Sequence, residues 1–143
     1  NQLNIQELET VKYHNLPIKI FLFNNEGYLS IRTTQQNYFN GNFVGEGINS
    51  GVGMPDFVKI AKAYGIKAAV ISSMKNINEM IEDVLNFQDA VLCEVMMDPN
   101  QLIIPRVSSK KRSDGTLVSS PLEDMYPFLS EDEFLSNMII PKW

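Results

Sequence analysis

Asn24, Asn25, Glu26 and Gly27 stand directly after the most apolar run of the sequence, Ile18 to Phe23. They offer side-chain amide oxygens, a main-chain carbonyl beside a glycine, and N–H groups where the chain turns into Tyr28, Leu29 and Ser30. Oxygen donors suit a hard cation such as Mg²⁺, which takes few protein oxygens and completes its shell with phosphate and water. N–H groups at a turn suit a phosphate. The same four residues are ordinary turn formers, and on residue type alone a plain turn is the simpler reading. Other candidates are weaker. Cys93 is the only cysteine, so neither a disulfide framework nor a thiolate metal site is available. Within the apolar run Ala90 to Val95 it reads as a small buried hydrophobe, and the only histidine, His14, is remote in sequence. His14 reads as a solvated helix-end residue. Lys110, Lys111 and Arg112 form the only basic cluster, in a Ser- and Gly-containing stretch that reads as a solvated loop. The acidic residues Glu131 to Glu133 read as helix N-terminal charge. No catalytic residue is assigned.

The elements around the Asn-Asn-Glu-Gly segment must hold it in place. Ile18 to Phe23 is apolar on both faces and bounded by turn residues, the pattern of a central strand in a covered parallel sheet. In such a sheet ligands bind at the carboxyl ends of strands, where Asn24 to Gly27 fall. Upstream, Leu3, Ile5, Leu8 and Val11 predict a short helix, with Asn4 as N-cap, Glu7 completing a capping box, and Pro17 ending it. Downstream, Pro55 and Asp56 open a helix carrying Phe57, Ile60, Ala61 and Tyr64, which Gly65 stops. Ala68 to Ile71 reads as a strand. Asn76 caps a helix with Ile77, Met80, Ile81, Val84 and Leu85, and Ala90 to Met96 is a further strand closed by Asp98 and Pro99. This alternation predicts an α/β fold, a three-layer α/β/α arrangement with a mainly parallel sheet. From about Gln101 the periodicity weakens, and Pro105, Gly115, Pro121, Pro127 and Pro141 punctuate an extended C-terminal tail. One last helix runs from its cap at Ser130 through Met138. Residues 1–100 are read as the domain core and 101–143 as its tail.

Several of these segments together resemble the C-terminal thiamine diphosphate (ThDP)-binding domain of the acetolactate synthase-like enzymes. The resemblance covers Asn1 to Ala68 and is carried by Leu3 to Leu8, Leu16 to Ile20, Asn24 to Tyr28 and Pro55 to Gly65. It implies that the Asn25 side chain and the Gly27 main-chain oxygen coordinate Mg²⁺, while the N–H groups of Tyr28 and Leu29 meet the cofactor diphosphate. It places Tyr38 to Gly41 and Gly45 to Gly53 where relatives carry a mobile loop near the substrate, although a flexible surface loop explains them as well. The family's Gly-Asp-Gly motif is expected just before Asn1 and is not in this sequence. Without its Asp the metal donors are neutral, which weakens hold on Mg²⁺ and ThDP. The glutamate that activates the cofactor belongs, by the same resemblance, to a separate pyrimidine-binding domain on the same or a neighbouring subunit.

Composition narrows the classes. Hydrophobic residues are 44% and charged residues 20% of the 143, the balance of a globular domain. Lys and Arg total 12 against 17 Asp and Glu, a net charge of −5 that argues against a nucleic-acid partner. No apolar stretch approaches the roughly 20 residues that cross a bilayer, and no leader pattern opens the chain, so a cytoplasmic location is expected. The leading expectation is the cofactor-anchoring domain of a ThDP-dependent 2-oxo acid decarboxylase or carboligase, inactive as an isolated fragment. An enzyme of the same superfamily with a sugar-linked or aldehyde acceptor is the close variant, because Pro121 to Pro141 is unlike the usual acetolactate synthase terminus. The rival from another class is a non-catalytic module of the same fold, acting in oligomerisation or binding. Apolar segments at Leu102 to Ile104 and Met138 to Ile140 argue for a homo-oligomer in either case.

Overall fold

The computed structural model describes residues 2–111 and 114–140. Arg112 of the basic cluster and Pro141 of the tail lie outside the described residues. The chain divides into two compact units, Asn1–Gln101 and Leu102–Trp143.

The first unit opens with a 3-10 turn at Gln2–Asn4 and then α1, Glu7–Tyr13. Asn4 is therefore not the N-cap. Gln6 holds that position and makes no side-chain capping bond. Next come β1, Lys19–Asn24, and α2, Leu29–Tyr38. The sequence pattern does not predict α2, because none of its residues is buried and it has no apolar stripe to read. A 3-10 turn at Ile48–Ser50 precedes α3, Phe57–Ala63. Asp56 caps α3 by accepting the Lys59 N–H at 2.9 Å. Pro55 thus stands just outside the helix. Gly65 follows in the left-handed region, φ 68°, which glycine occupies without a steric penalty. The unit finishes with β2, Lys67–Ile71, α4, Ile77–Asn86, and β3, Val91–Met96.

These strands form a parallel three-stranded sheet in the order β1-β3-β2. β3 pairs Leu92 with Ile20 on one side and with Ala68 on the other. The expectation that Ile18 to Phe23 forms a central strand is corrected, since β1 flanks β3. A strand covered on both faces reads as apolar throughout even with one neighbour, so the pattern reports layers rather than rank within the sheet. Alternation along the strands sends side chains to two separate cores. Leu22, Ala90 and Leu92 pack with Val11 of α1 and Phe57 and Ala61 of α3. Val91, Cys93 and Ile71 face Val84 of α4, with Phe21, Met80 and Ile81 packed around them. The result is a three-layer α/β/α arrangement with α1 and α3 on one face and α4 on the other.

In the second unit the expected irregular tail holds regular structure. β4, Ser109–Lys111, pairs antiparallel with β5, Leu117–Ser119. α5, Glu131–Asn137, starts where Ser130 accepts the Glu133 N–H at 3.3 Å. Lys110 does not sit in a solvated loop. It lies on β4, where its Nζ donates to Asp124 at 2.6 Å and stands 4.3 Å from the centre of the Phe128 ring.

Candidate functional site

β1 delivers Asn24 to the carboxyl edge of the sheet, beside the end of β3. The Met97 N–H donates to the Asn24 carbonyl at 2.8 Å, joining the two strand exits. The Asn24 amide nitrogen donates to Glu94 Oε1 at 2.7 Å. Glu94 is buried in an otherwise apolar strand, where an unsatisfied carboxylate is costly and a hydrogen-bond partner offsets that cost. The Asn24 amide oxygen accepts the Glu26 N–H at 3.0 Å. That local bond accompanies a left-handed Glu26, φ 57°, a conformation uncommon outside glycine and asparagine. Both ends of the Asn24 amide are therefore in use.

Asn25 differs. Its side chain is half-buried and its amide has no partner among the described residues. The carbonyls on either side of the turn are distinguished in the same way. Those of Asn25 and Glu26 accept from the Arg32 guanidinium at 3.3 and 3.4 Å, whereas no bond to the Gly27 carbonyl occurs among the described residues. Gly27 also pairs with Gly47 in an isolated antiparallel bridge. A Cβ on Gly27 would run into the Glu46 carbonyl and the tip of Arg32, so close approach of backbone requires glycine here.

Tyr28 gives its N–H to the Glu46 carbonyl at 2.7 Å. That donor is taken by the returning Gly-rich segment rather than turned to a ligand. Leu29 then begins α2, whose first N–H groups have no acceptor within the helix. No acidic residue stands in its first turn, so nothing in the helix itself offsets the positive end of its dipole. The four expected site residues thus lie together at one strand exit. Asn25, Gly27 and Leu29 keep groups that could meet a metal or phosphate.

Sequence reasoning missed Arg32 and Glu46. Arg32 Nε donates to Glu46 Oε2 at 2.5 Å, with the two side chains 16% and 9% exposed. Removing one member of a pair this buried costs about 3–5 kcal/mol, because the other charge is left without compensation. The signal was present. Arg32 and Glu46 are the only charged residues between Gly27 and Gly53, and two opposite charges alone in a neutral stretch are natural partners. Reading it required knowing that α2 is a helix. Elsewhere, Cys93 is fully buried and desolvation pushes its thiol pKa up, which suits a packing role. His14 rests edge-on against Tyr13, 5.0 Å between ring centres, away from this turn in sequence. No group of three or more His, Cys, Asp and Glu side chains that could hold a metal occurs among the described residues.

Residues 1–95 match the family described as thiamine pyrophosphate enzyme, C-terminal TPP binding domain. The chain belongs to that family. Among similar proteins, the acetolactate synthase large subunit of Porphyra purpurea is 31% identical over 110 residues, covering 77% of this chain and 18% of the relative. The probable acetolactate synthase large subunit of Methanococcus aeolicus is 37% identical over 101 residues, 71% of this chain and 16% of the relative. Acetolactate synthase 2, chloroplastic, of Zea mays is 27% identical over 111 residues, 75% and 17%. The chain therefore spans less than a fifth of the length of these relatives.

Proposed function

We propose that this domain anchors the diphosphate end of ThDP, through Mg²⁺, within an acetolactate synthase-like decarboxylase or carboligase of 2-oxo acids. One observation carries the reading. At the carboxyl end of β1 the half-buried Asn25 amide and the Gly27 carbonyl are without partners among the described residues, while the main-chain carbonyls of Asn24, Asn25 and Glu26 and the Asn24 amide oxygen are occupied. In this reading Asn25 and Gly27 supply neutral oxygens to the metal, and the Leu29 N–H at the start of α2 meets the diphosphate. Tyr28 shapes the turn through its bond to Glu46. The bound cofactor supplies carbanion stabilisation once a 2-oxo acid has lost CO₂.

The donor set fits the group incompletely. Mg²⁺ is ordinarily held through a carboxylate, and the 143 residues contain no Gly-Asp-Gly. The charged ligand and the cofactor-activating glutamate come, on this proposal, from other segments, the glutamate from a pyrimidine-binding domain of the same or a neighbouring subunit. The active form is a homo-oligomer. The second unit, residues 102–143, extends the same domain. Among the described residues no helix is long and apolar enough to cross a membrane, and the proposed location is the cytoplasm.

ThDP titration of the full-length polypeptide in the presence of Mg²⁺, with and without Asn25→Ala, tests the assignment. Strong loss of affinity in the variant supports it. Unchanged affinity removes Asn25 from the site.

A further inference from the structure

We infer that Arg32 and Glu46 are positioning residues for the cofactor turn, a latch that fixes which of its oxygens remain for the metal. The inference rests on the reading of Asn25 and Gly27 given above. Arg32 touches four acceptors on three segments. Its guanidinium takes the Asn25 and Glu26 carbonyls on the turn, the Glu46 carboxylate on the Gly-rich segment and, at 2.5 Å, the Pro99 carbonyl just beyond β3. Glu46 grips the same turn from the other side. Its carbonyl accepts the Tyr28 N–H at 2.7 Å, and Gly47 beside it pairs with Gly27. Ser50 steadies Glu46 in turn, its hydroxyl accepting the Glu46 N–H at 2.9 Å. Two of the three main-chain oxygens from Asn25 to Gly27 are thereby consumed, and the one left is that of Gly27.

A simpler role for Arg32 would be a direct cation for the diphosphate. The geometry points elsewhere, because its charge is already paired with a carboxylate and its side chain is only 16% exposed. The two roles make opposite predictions for Glu46. If Arg32 binds phosphate directly, neutralising Glu46 frees the guanidinium and leaves affinity equal or better. If the pair is a latch, neutralising Glu46 loosens the turn and weakens binding. Lysine cannot replace the latch, since one ammonium cannot serve four acceptors in a fixed planar fork.

The experiment uses the full-length polypeptide, wild type, Arg32→Lys and Glu46→Gln. ThDP affinity is measured by calorimetry at saturating Mg²⁺, alongside the melting temperature without cofactor and its rise when cofactor is added. Partners that orient metal ligands typically change affinity by about 10–100-fold when altered, so Arg32→Lys should weaken binding at least about tenfold and Glu46→Gln should weaken it in the same direction. The cofactor-induced rise in melting temperature, taken against each variant's own cofactor-free melting, should shrink in both, and Glu46→Gln should also melt lower without cofactor because the buried Arg32 charge loses its partner. Wild-type affinity in Arg32→Lys, or wild-type or tighter binding in Glu46→Gln, overturns the latch and leaves the Asn25 assignment standing. Lower cofactor-free melting with an unchanged cofactor-induced rise in both variants also overturns it, reducing the pair to a general stabilising contact. If the wild type itself binds no ThDP, the site reading fails and the latch with it.

Discussion

Asn24 and Asn25 are adjacent and identical in type, yet the structure separates them sharply. Asn24 spends its amide on Glu94 and Glu26, and Asn25 keeps its amide unengaged among the described residues. Their substitutions should therefore fail in different assays. Asn24→Ala leaves the buried Glu94 carboxylate short of a donor and is expected to cost about 1–3 kcal/mol of stability, read as a lower melting temperature. Asn25→Ala should leave melting nearly unchanged while weakening ThDP binding about tenfold or more, consistent with loss of a metal ligand. Asn25→Asp should bind, because a carboxylate is also a hard oxygen donor. Equal melting of the two alanine variants would contradict the division of roles. From residue types alone the pair is symmetric. Only the burial of Glu94, seventy residues away in sequence, breaks the symmetry, and no local pattern encodes that.

At the scale of elements, α3 offers a pH-dependent test. The carboxyl of Asp56 is held below its usual pKa first by the Lys59 backbone N–H and then by the Lys59 side chain. A depressed carboxyl pKa adds stability that is present above the unfolded value, near 3.8, and is lost as the pH falls through the lower folded value. Wild type should melt above Asp56→Ala at neutral pH, and the gap should close in acid below that range. A gap constant with pH would mean that the charged cap contributes nothing. β3 offers a second test. Cys93 is fully buried, so Cys93→Ser places a hydroxyl in an apolar layer at a cost of about 1–3 kcal/mol, whereas Cys93→Ala should be milder. The elements differed in how legible they were. α3, α4 and β3 carry apolar residues at the right period and end in recognisable caps, so their sequences announce them. α2 buries nothing and exists to present its first turn and Arg32, so periodicity is silent about it. The short β4–β5 ladder spans three residue pairs, too few for alternation to stand out, and Lys110 looked solvated because its partner Asp124 lies beyond the hairpin.

For the molecule as a whole, the 143-residue chain by itself should show no turnover of pyruvate with Mg²⁺ and ThDP, since it contains no Gly-Asp-Gly and, on the proposed reading, the activating glutamate comes from another domain. Measurable turnover would sink that expectation. Association is the second test at this scale. Large apolar side chains are well exposed in each unit, among them Phe23 at 67% and Ile48 at 74% in the first and Ile103 at 70% in the second. Exposed apolar surface of this kind favours self-association, and light scattering at tens of micromolar should report a dimer or larger species. A clean monomer, independent of concentration, would refute it. The order β1-β3-β2 carries a consequence for synthesis. The last-made of these three strands lies in the middle, so β1 and β2 lack the partner they share among the described residues until residues near Met96 have left the ribosome. The Asn24–Glu94 bond and the whole ligand edge are then assembled late, from contacts about seventy residues apart, the kind that slows folding. A nascent chain arrested before Ala90 should stay sensitive to protease throughout β1 and β2, and gain resistance in one step once β3 emerges.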